Sequence, residues 1–410
     1  MQLLVINSGS SSIKFSVYAV MAEGEQPQSL LDGQLSDIGE RESRLVLRQA
    51  GRGQSMAGRV GIHGVSEAIS VVLDVVSGSG MPGFEAVGYR VVHPGPRLHE
   101  HTRITPQVLA ELDAAGAYAP LHDPAAVQMI RTFSQRFPEL PQYACFDTVF
   151  HHTMPLEAST YALPPEFMKR GVRRYGFHGL SCESIVQQLR SEEGRNGPLP
   201  RRMVIAHLGS GCSVTALQDG RSVDTTMGLT PTGGVVMGTR PGDLDPGLVL
   251  FLLREEIGAP QDGGSGSKDA LDAVQKLLNH GSGLAALSGM ENSVKEIRAA
   301  ANAGRQSARL ALQVFTRSVR KAMGAFCWLL GGLDAVVFSG GVGENDAQTR
   351  QEIIAGMEDL GVSLDPGLNH RAAGGIQRIS PPDSPTQVLI VPAQEDQMVA
   401  AHVFRMATEE

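Results

Sequence analysis

The sequence lacks the features of a secreted, disulfide-bonded or membrane protein. Its four cysteines are far apart and form no CxxC pair (Cys145, Cys182, Cys212 and Cys327). This spacing argues against a structural zinc site or a disulfide framework, and it is typical of a reducing compartment. The N-terminus has no basic segment ahead of a long apolar stretch, and no apolar run reaches the roughly 20 residues of a membrane span. We therefore expect a cytoplasmic protein with no membrane partner.

An excess of positive charge is also absent. The chain has 35 Lys and Arg against 43 Asp and Glu, which gives a formal net charge of −8. We therefore expect no nucleic-acid partner, although a local basic site is not excluded. The sequence contains no GxxxxGK[ST] segment, so a P-loop is excluded. No GxGxxG follows the first strand, which disfavours a dinucleotide-binding fold.

Glycine, by contrast, is abundant. The 410 residues include 48 Gly and 23 Pro without a collagen-like period, and 42% of the residues are hydrophobic. A chain of this length and composition predicts two or three globular domains with many tight turns.

Two similar strand–turn–strand segments lie about half a chain apart. One has the turn SGSSS (8–12) after LLVIN, and the other has GSGCS (209–213) after MVIAHL. Two later strands end in GVGEN (341–345), which we interpret as a turn, and in AQED (393–396). This pattern predicts a duplicated α/β protein with a cleft at the carboxyl ends of its strands. Apolar residues at three- and four-residue spacing predict helices over 105–117, 124–136, 180–193, 245–257, 269–279 and 305–331.

The glycine- and serine-rich turns are candidates for phosphate binding. Such turns let backbone N–H groups approach phosphate oxygens. Each of the three, SGSSS, GSGCS and GVGEN, is by itself more simply explained as a hairpin turn. Three of them, each after a β-rich run, favour a polyphosphate ligand.

Five polar residues stand in rigid or apolar surroundings. Arg90 lies in the strand-like AVGYRVVH, where a buried charge must be paired or face a cleft. Asp147 lies in the β-type run CFDTVFHH, and His122, His178 and Arg240 lie in turns. A structural role is the simpler explanation for any one of them, but their joint occurrence favours a functional site.

Asn7 and Glu395 each follow a strand and carry side-chain oxygens. Magnesium ions prefer a few protein oxygens together with water and phosphate oxygens. Glu395 can also be explained as an acidic residue at a helix N-terminus, where the helix dipole stabilises it.

Ten segments, taken together, resemble the acetate kinases, a family of the acetate and sugar kinase, Hsc70 and actin superfamily. They are VINSGSSSIKF, AVGYRVVH, APLHDP, FDTVFHHTMP, YGFHG, HLGSGCSVTA, DTTMGLTP, MGTRPGDLDPG, FSGGVGEN and VPAQED. The resemblance covers nearly the whole chain in order. It implies an α/β fold of two duplicated actin-like (ribonuclease H-like) lobes, in which mixed sheets are flanked by helices and a cleft lies between the lobes. The first lobe would comprise residues 1–150 and 385–410, on the acyl and metal side. The second would comprise residues 151–384, with the nucleotide and the dimer interface.

The resemblance implies reversible phosphoryl transfer from ATP to acetate, giving ADP and acetyl phosphate, by a homodimer that uses Mg²⁺ or Mn²⁺. The catalytic residues it implies are Asp147, His178, Arg240 and His122, and the metal ligands are Asn7 and Glu395. The acyl substrate would contact Arg90, Val92, Leu121, Phe177 and Pro231. The nucleotide would contact Ser10, Ser12, Lys14, His207, Leu208, Gly209, Ser210, Gly211, Ser293, Val294, Lys295, Gly341, Val342, Gly343, Glu344 and Asn345.

Elementary chemistry modifies one of these roles. Acetate has a pKa like that of Glu, about 4.3, so it is ionised near pH 7 and has no proton to lose. We therefore expect Asp147 to hold Mg²⁺ or to orient the acceptor rather than to act as a general base.

The sequence also departs from the usual family pattern. Tyr89 stands where the family usually has His, and His93-Pro94-Gly95-Pro96 stands in place of HGGE. Ser210 replaces an Asn, and Ser293-Val294-Lys295 replaces an Asp-Phe-Arg that holds the adenosine. These differences leave open a propionate or butyrate kinase and the use of GTP or pyrophosphate as donor. A non-catalytic actin-like nucleotide-binding module is a weaker alternative.

Overall fold

The computed structural model describes residues 1–8, 12–39, 42–49, 52–62, 64–78, 83–116, 123–191, 198–258, 266–371 and 374–409. Ser10, Leu121 and His122, which the sequence analysis assigned to the site, lie outside these residues. The described chain forms two mixed sheets with helices packed on both faces.

The first sheet uses the N-terminal part of the chain. Within the described residues its strands are β1 (Gln2–Ser8), β2 (Ile13–Ala19), β3 (Gln28–Ser36), β4 (Ser43–Gln49), β5 (Arg52–Val60), β6 (Ala86–Val91), β7 (Thr102–Arg103) and β8 (Gln142–Phe146). Their order is β5-β4-β3-β2-β1-β6-β8-β7. β1, β6 and β8 are parallel, whereas β1 to β5 form an antiparallel meander. Three adjacent carboxyl ends therefore meet at one edge of the sheet.

The second sheet repeats this arrangement. Its described strands are β9 (Arg202–Leu208), β10 (Cys212–Gln218), β11 (Arg221–Thr225), β12 (Ala335–Ser339), β13 (Gln377–Arg378) and β14 (Gln387–Ile390), in the order β11-β10-β9-β12-β14-β13. β9, β12 and β14 are parallel, and β9 to β11 form an antiparallel meander. The five strands β3-β2-β1-β6-β8 thus correspond to β11-β10-β9-β12-β14, which confirms the predicted duplication.

Fifteen helices occur among the described residues. They are α1 (Val65–Gly78), α2 (Pro106–Ala115), α3 (Asp123–Arg136), α4 (Leu156–Ser159), α5 (Pro165–Lys169), α6 (Gly179–Ser191), α7 (Pro246–Gly258), α8 (Gly266–His280), α9 (Gly283–Ser288), α10 (Val294–Asn302), α11 (Gln306–Leu330), α12 (Gly340–Asn345), α13 (Ala347–Ile354), α14 (Pro366–Arg371) and α15 (Glu395–Thr408), with 3₁₀ turns at Val149–Thr153 and Glu358–Leu360. The six predicted helices are confirmed, with small shifts at their ends. Among the described helices, none combines the length and apolar character that a bilayer-spanning segment needs.

Local sequence signals explain where several helices begin and end. α2 begins after Thr105, whose side-chain oxygen accepts a hydrogen bond from the backbone N–H of Val108, with proline at the first helical position. The long helix α11 ends at Gly331, which adopts the left-handed conformation that glycine allows at little cost.

The central strands bury both of their faces. In β1, Leu4 and Ile6 pack with residues of α1 and α3, while Leu3 and Val5 pack with residues of α15. In β9 the same alternation places one face against α11 and the other against α6. Nearly continuous apolar runs are typical of parallel strands covered by helices on both sides.

α6 and α15 lie between the two sheets and contact each other. α6 covers the second sheet and α15 covers the first. Nε2 of His402 on α15 lies 2.9 Å from Oε2 of Glu183 on α6, and Nδ1 of His402 accepts a hydrogen bond of 3.2 Å from Arg405. The two lobes are therefore joined by a polar contact as well as by apolar packing.

Two predictions about local structure and lobe boundaries are wrong. GVGEN is not a turn, because α12 begins directly after β12 at Gly340, whose φ of 76° lets the chain change direction in one residue. Residues 385–410 do not all join the first lobe, since β14 pairs with β12 in the second sheet. Only α15 at the end of this segment packs against β1 and β6.

The close packing of α15 on the first sheet can be tested at Gly88 in β6. A methyl group there would lie 2.6 Å from Cγ2 of Val403 and 2.8 Å from Cγ1 of Val399, and both valines are buried. We predict that Gly88→Ala lowers the free energy of unfolding by about 1–3 kcal/mol, because the site is already filled. Thermal melting of the variant beside the wild type measures the change.

Gly324 in α11 is the matched control, since it is exposed and a methyl group there would meet no atom within 4 Å. We expect Gly324→Ala to raise the stability by about 0.5–1 kcal/mol, because alanine favours the helix. A Gly88→Ala protein that melts at or above the wild-type temperature would contradict the packing described for α15.

Candidate active site

Polar side chains gather where the three parallel strands of the first sheet end. Asn7 near the end of β1 lies beside Arg90 of β6 in the strand register, and Asp147 directly follows β8. The guanidinium of Arg90 donates from Nε to Oδ1 of Asp147 at 3.0 Å and from Nη2 to Oδ2 at 2.5 Å. It also donates from Nη1 to Oδ1 of Asn7 at 3.1 Å. The structure thus brings together three predicted site residues that are far apart in the sequence.

The N-terminus of α15 adds two carboxylates to this group. Oε2 of Glu395 lies 3.5 Å from Nε of Arg90. Oδ1 of Asp396 accepts a hydrogen bond of 3.4 Å from Nδ2 of Asn7. Glu395 was predicted from the sequence and Asp396 was not, although both stand at the start of the helix that follows β14.

The pKa values of Asp147 and Glu395, the two carboxyl groups that contact Arg90, are shifted in opposite directions. Burial, together with the charge of Glu395, raises the pKa of Asp147 to about 6, even though Arg90 acts in the opposite direction. Burial also opposes ionisation of Glu395, but the charges of Arg90, His207 and Lys14 hold its pKa below the usual value. Glu395 is therefore the more strongly anionic of the two.

This group fits a divalent cation by its chemistry. Asn7, Asp147, Glu395 and Asp396 supply oxygen atoms, which are the ligands that Mg²⁺ and Mn²⁺ accept from proteins. The three carboxylates face the cations Arg90 and Lys14, so negative charge is in excess. Asn7 and Glu395, the predicted metal ligands, both line the cleft described next.

A cleft of about 620 Å³ separates the two lobes beside these residues. Six predicted nucleotide contacts line it, namely Lys14, His207, Gly209, Ser210, Gly341 and Glu344. His207 occupies in β9 the place that Asn7 occupies in β1, so both sheets direct their carboxyl ends into the same cleft.

His178 and Arg240 meet at the glycine loop after β9. A methyl group added at Gly211 would lie 3.4 Å from Nε2 of His178 and 3.7 Å from Nη1 of Arg240. The ring of His178 stacks on that of His207 with centroids 4.2 Å apart, and its Nδ1 lies 3.0 Å from Oγ of Ser213. Arg240 donates from Nη1 to the carbonyl oxygen of Pro231 at 3.0 Å.

The backbone of His178 also takes part in the site. Its φ of 59° is in the left-handed region, which is uncommon for a residue other than glycine. In this conformation its backbone N–H faces the carboxylate of Asp147 and lowers the pKa of that group, and the N–H of the next residue, Gly179, donates to the carbonyl oxygen of Asp147 at 2.8 Å. Burial, together with the charges of His207, Arg90 and Arg240, lowers the pKa of His178 well below its usual value, so the ring is neutral.

Polar contacts hold the loops of the cleft in place. Oε1 of Glu344 accepts hydrogen bonds from the backbone N–H groups of Gly340 at 2.9 Å and Ala393 at 3.2 Å, and so links α12 to the segment after β14. Nδ2 of Asn292 donates to Oγ of Ser210 at 3.0 Å. Asn292 was not predicted, although it directly precedes Ser293, because its partner Ser210 is 82 residues away in the sequence.

The buried Arg350 is a second residue that the sequence did not reveal. Its Nη1 donates to the carbonyl oxygens of Gly343 and Glu344 at 2.8 and 2.9 Å, and its Nε donates to Oδ1 of Asn369. A cation at the last carbonyls of a helix is favourable, so Arg350 stabilises α12 from the side opposite the cleft.

Several other predicted nucleotide contacts cap helices, pack in the core or bind the backbone of the protein itself. Ser293 caps α10 by accepting a hydrogen bond from the N–H of Glu296, and Lys295 is exposed. Leu208 is fully buried, and Val342 packs against the same apolar cluster. Nδ2 of Asn345 donates to the carbonyl oxygen of Gly341. The side chains of Ser293, Leu208, Val342 and Asn345 therefore stabilise the fold, whereas that of Lys295 faces solvent.

The predicted acyl contacts Val92 and Phe177 belong to one buried apolar cluster. Pro231 is buried as well, and its carbonyl oxygen holds Arg240. Apolar side chains therefore lie close to the groups that carry charge.

Comparisons with known proteins agree with this arrangement. Residues 2–401 match the model of the acetokinase family. The chain belongs to the acetokinase family. It is 39% identical over 415 residues to the acetate kinase of Streptomyces coelicolor, which covers 100% of this chain and 97% of that protein.

Two solved structures of the family show the same fold. The acetate kinase of Porphyromonas gingivalis is 32% identical, with a TM-score of 0.83 and 99% of both chains covered. A propionate kinase from Francisella tularensis is 33% identical, with a TM-score of 0.85 and 98% of both chains covered.

Two of the departures from the usual acetokinase pattern, at Tyr89 and His93, lie in the protein interior. The hydroxyl of Tyr89 donates to Oε1 of Gln142 at 2.7 Å, on the core side of the first sheet. His93 is fully buried, its Nδ1 accepts a hydrogen bond of 2.8 Å from the N–H of Gly95, and its ring lies 4.4 Å from that of Tyr175 and 5.8 Å from that of Phe177. His93 thus lies behind the apolar residues of the predicted acyl pocket.

The burial of His93 predicts a loss of stability in acid. Desolvation, and the charge of Arg173, lower the pKa of His93 to about 3, whereas an unfolded histidine titrates near 6.5. The unfolded state therefore binds more protons between these values, and this residue alone contributes a loss of about 2 kcal/mol as the pH falls from 7 to 5. Thermal melts at pH 7 and pH 5 measure it.

The variant His93→Asn keeps an acceptor for Gly95 but does not titrate. We expect its melting temperature to fall less between pH 7 and pH 5 than that of the wild type, whatever its absolute stability. His280→Asn, at an exposed histidine, is the matched control and should leave the pH dependence unchanged. An unchanged pH dependence in His93→Asn would show that His93 does not cause the acid sensitivity.

Proposed function

We propose that this chain is an acetate kinase, which transfers a phosphoryl group reversibly between ATP and acetate and so forms acetyl phosphate and ADP. One observation carries the proposal. His178 connects two groups of charged residues. Its backbone is held beside Asp147, the partner of Arg90, because the N–H of Gly179 donates to the carbonyl oxygen of Asp147 at 2.8 Å, and its ring lies beside Arg240 at Gly211. A carboxylate-binding guanidinium and the groups that would stabilise a phosphoryl group therefore meet next to the interlobe cleft.

Arg90 would bind the carboxylate of the acceptor. A guanidinium has five N–H groups, and the bonds to Asn7 and Asp147 use three of them. Those bonds fix the plane of the guanidinium, and a planar, fixed fork is well suited to a carboxylate. The apolar side chains of Val92, Phe177 and Pro231 would contact the methyl end of acetate.

Asp147 would orient the acceptor through Arg90. Because acetate is already ionised near pH 7, the reaction requires no general base. Both side-chain oxygens of Asp147 bind Arg90, and its carbonyl oxygen accepts a hydrogen bond of 2.8 Å from the N–H of Gly179. This supports a positioning role better than proton transfer.

Arg240 and His178 would stabilise the phosphoryl group during transfer. Negative charge spreads over the three equatorial oxygens of that group, so donors fixed in advance around them lower the barrier. A divalent ion held by Asn7 and Glu395 would supply further positive charge on the phosphate oxygens.

The nucleotide would lie in the cleft with its phosphates near Gly209, Ser210 and the N-terminus of α12. Backbone N–H groups at glycine loops and helix termini suit phosphate oxygens. We propose ATP as the donor and Mg²⁺ or Mn²⁺ as the metal, because the cleft is lined by both these loops and the oxygen-rich group around Asn7.

Two alternatives concern specificity. A propionate kinase is among the similar structures, and one methylene changes transition-state binding by only about 1–3 kcal/mol, so propionate or butyrate is the second candidate acceptor. Since Ser293-Val294-Lys295 departs from the family pattern, GTP or pyrophosphate is the second candidate donor.

We also propose a cytoplasmic homodimer of two-lobed chains. The first lobe would comprise residues 1–150 together with α15. The exposed apolar side chains of the second lobe support a dimer interface there, and they include Leu250, Phe251, Leu310, Trp328 and Leu329.

The enzymatic proposal is tested by formation of acyl phosphate. Acetate, propionate and butyrate are each combined with ATP, GTP and pyrophosphate in the presence of Mg²⁺, and relative kcat/KM is measured by hydroxamate formation. We expect the highest value for acetate with ATP. Absence of acyl phosphate with every pair would leave the non-catalytic nucleotide-binding module.

In the same assay, Arg240→Ala should lower kcat by about 10²–10³-fold, because it removes a donor to the transferring group. Arg44→Ala, at an exposed arginine of the first lobe, is the matched control. Near wild-type turnover in Arg240→Ala would contradict the role of Arg240.

The dimer is tested at Trp328, whose side chain is 90% exposed. We expect Trp328→Lys to weaken self-association by about 30-fold or more, since aromatic anchors carry much of the binding energy of an interface. Sedimentation velocity over a concentration series measures the effect. Met21→Lys, at an exposed residue of the first lobe, should not change it, and a wild-type monomer would contradict the proposal.

A further inference from the structure

The side chain of His178 is held by a residue that no motif singled out. Ser213 in β10 lies opposite His207 in the antiparallel register, and only 1% of its surface is exposed. Its Oγ lies 3.0 Å from Nδ1 of His178. The other ring nitrogen, Nε2, is directed toward Gly211 and Arg240.

The direction of the Ser213–His178 hydrogen bond decides what the ring can do. A neutral imidazole carries one N–H, and a serine hydroxyl can either donate or accept. If Nδ1 carried the proton, Nε2 would present a lone pair to the phosphate loop and would repel phosphoryl oxygens. If the hydroxyl donates to Nδ1, Nε2 carries the proton and becomes a donor toward that loop.

We propose that Ser213 is a positioning residue for phosphoryl transfer, because it donates its hydroxyl proton to Nδ1 of His178 and so fixes the tautomer with the proton on Nε2. This inference rests on the proposed kinase function for its catalytic consequence. The tautomer itself can be tested without activity.

The neutral state of His178 makes the tautomer important. An imidazolium would donate from both nitrogens, so the orientation of the serine hydroxyl would not matter. Burial and the neighbouring positive charges keep the ring neutral, and a neutral ring can act as a donor at Nε2 only if Nδ1 is an acceptor.

A second serine–histidine pair in the cleft has the same arrangement. Oγ of Ser181 lies 2.8 Å from Nδ1 of His207, whose ring stacks on His178. Nε2 of His207 lies 3.2 Å from where a methyl group on Gly340 would stand. Each of the two stacked rings therefore has a serine at Nδ1 and directs Nε2 toward a glycine loop of the cleft. Because the arrangement occurs twice, we infer the same role for the hydroxyls of Ser181 and Ser213, namely to donate to Nδ1 of the histidine beside them.

Ser222 and His151 provide a matched control in the second lobe. Oγ of Ser222 lies 2.9 Å from Nδ1 of His151, and both residues are buried. The other nitrogen of His151 lies 2.9 Å from the carbonyl oxygen of Phe177. Ser222→Ala therefore removes a similar hydrogen bond from a histidine that contacts the backbone next to His178, while the bond at Nδ1 of His178 is kept.

The kinetic test compares Ser213→Ala, Ser213→Thr and Ser222→Ala in the full-length protein. We expect Ser213→Ala to lower kcat about 10-fold while KM for acetate and ATP stays within about twofold, because the lost interaction acts on the transferring group. Ser213→Thr retains a hydroxyl and should recover most of the turnover, and Ser222→Ala should keep the wild-type kcat. Wild-type kcat in Ser213→Ala, or equal losses in Ser213→Ala and Ser222→Ala, would overturn the proposal.

The spectroscopic test reads the tautomer directly. In protein labelled with ¹⁵N-histidine, the signals of His178 are assigned by their loss in His178→Asn. We expect the wild type to show a proton on Nε2 and a bare Nδ1, and Ser213→Ala to show a mixture of tautomers. A proton on Nδ1 in the wild type would overturn the proposal. A wild-type protein without kinase activity but with the expected tautomer would refute the proposed function and leave the assignment of Ser213 intact.

Discussion

The ion pair between Arg90 and Asp147 is the interaction on which the rest of the site depends. Asp147 is almost fully buried, and an unpaired buried charge would cost several kcal/mol. The pair joins the ends of β6 and β8, Asn7 extends it to β1, and Glu395 extends it to α15. One guanidinium thus fixes the relative positions of three strands and the C-terminal helix, and the chain next to His178 is tied to the backbone of Asp147 through the N–H of Gly179.

Because the fold is duplicated, each of the two sheets contributes the carboxyl-terminal edge of its parallel strands to the cleft, and the two edges carry different functional groups. The first sheet ends in charged and amide side chains, whereas the second ends in histidine, glycine loops and the N-terminus of a short helix. Carboxylates and a guanidinium suit a metal ion and a carboxylate substrate, while backbone N–H groups suit phosphates. Because the same strand order brings both edges to one cleft, the two kinds of chemistry face each other, with His178 between them.

Much of the fold and part of the site could be predicted because their signals are local. Asn7, Arg90 and Asp147 interrupt or follow apolar strands, where a polar residue has few structural explanations, and the long helix α11 has clear apolar spacing. Asp396 and Asn292 were missed because their partners, Asn7 and Ser210, are 389 and 82 residues away, so only the folded chain brings each pair together. The helical state of GVGEN was missed because glycine composition predicts a turn, while the buried Arg350 that stabilises this helix lies outside the segment.

The contact between α6 and α15 limits how the two lobes can move. These helices are the elements that each sheet presents to the other, and they are joined by His402 and Glu183 as well as by apolar side chains. Any rotation of one sheet against the other must tilt or slide these two helices. Gly209 and Gly341 both follow strands of the second sheet, so a rotation of that sheet about this contact would move both phosphate-binding segments together relative to Asn7 and Glu395.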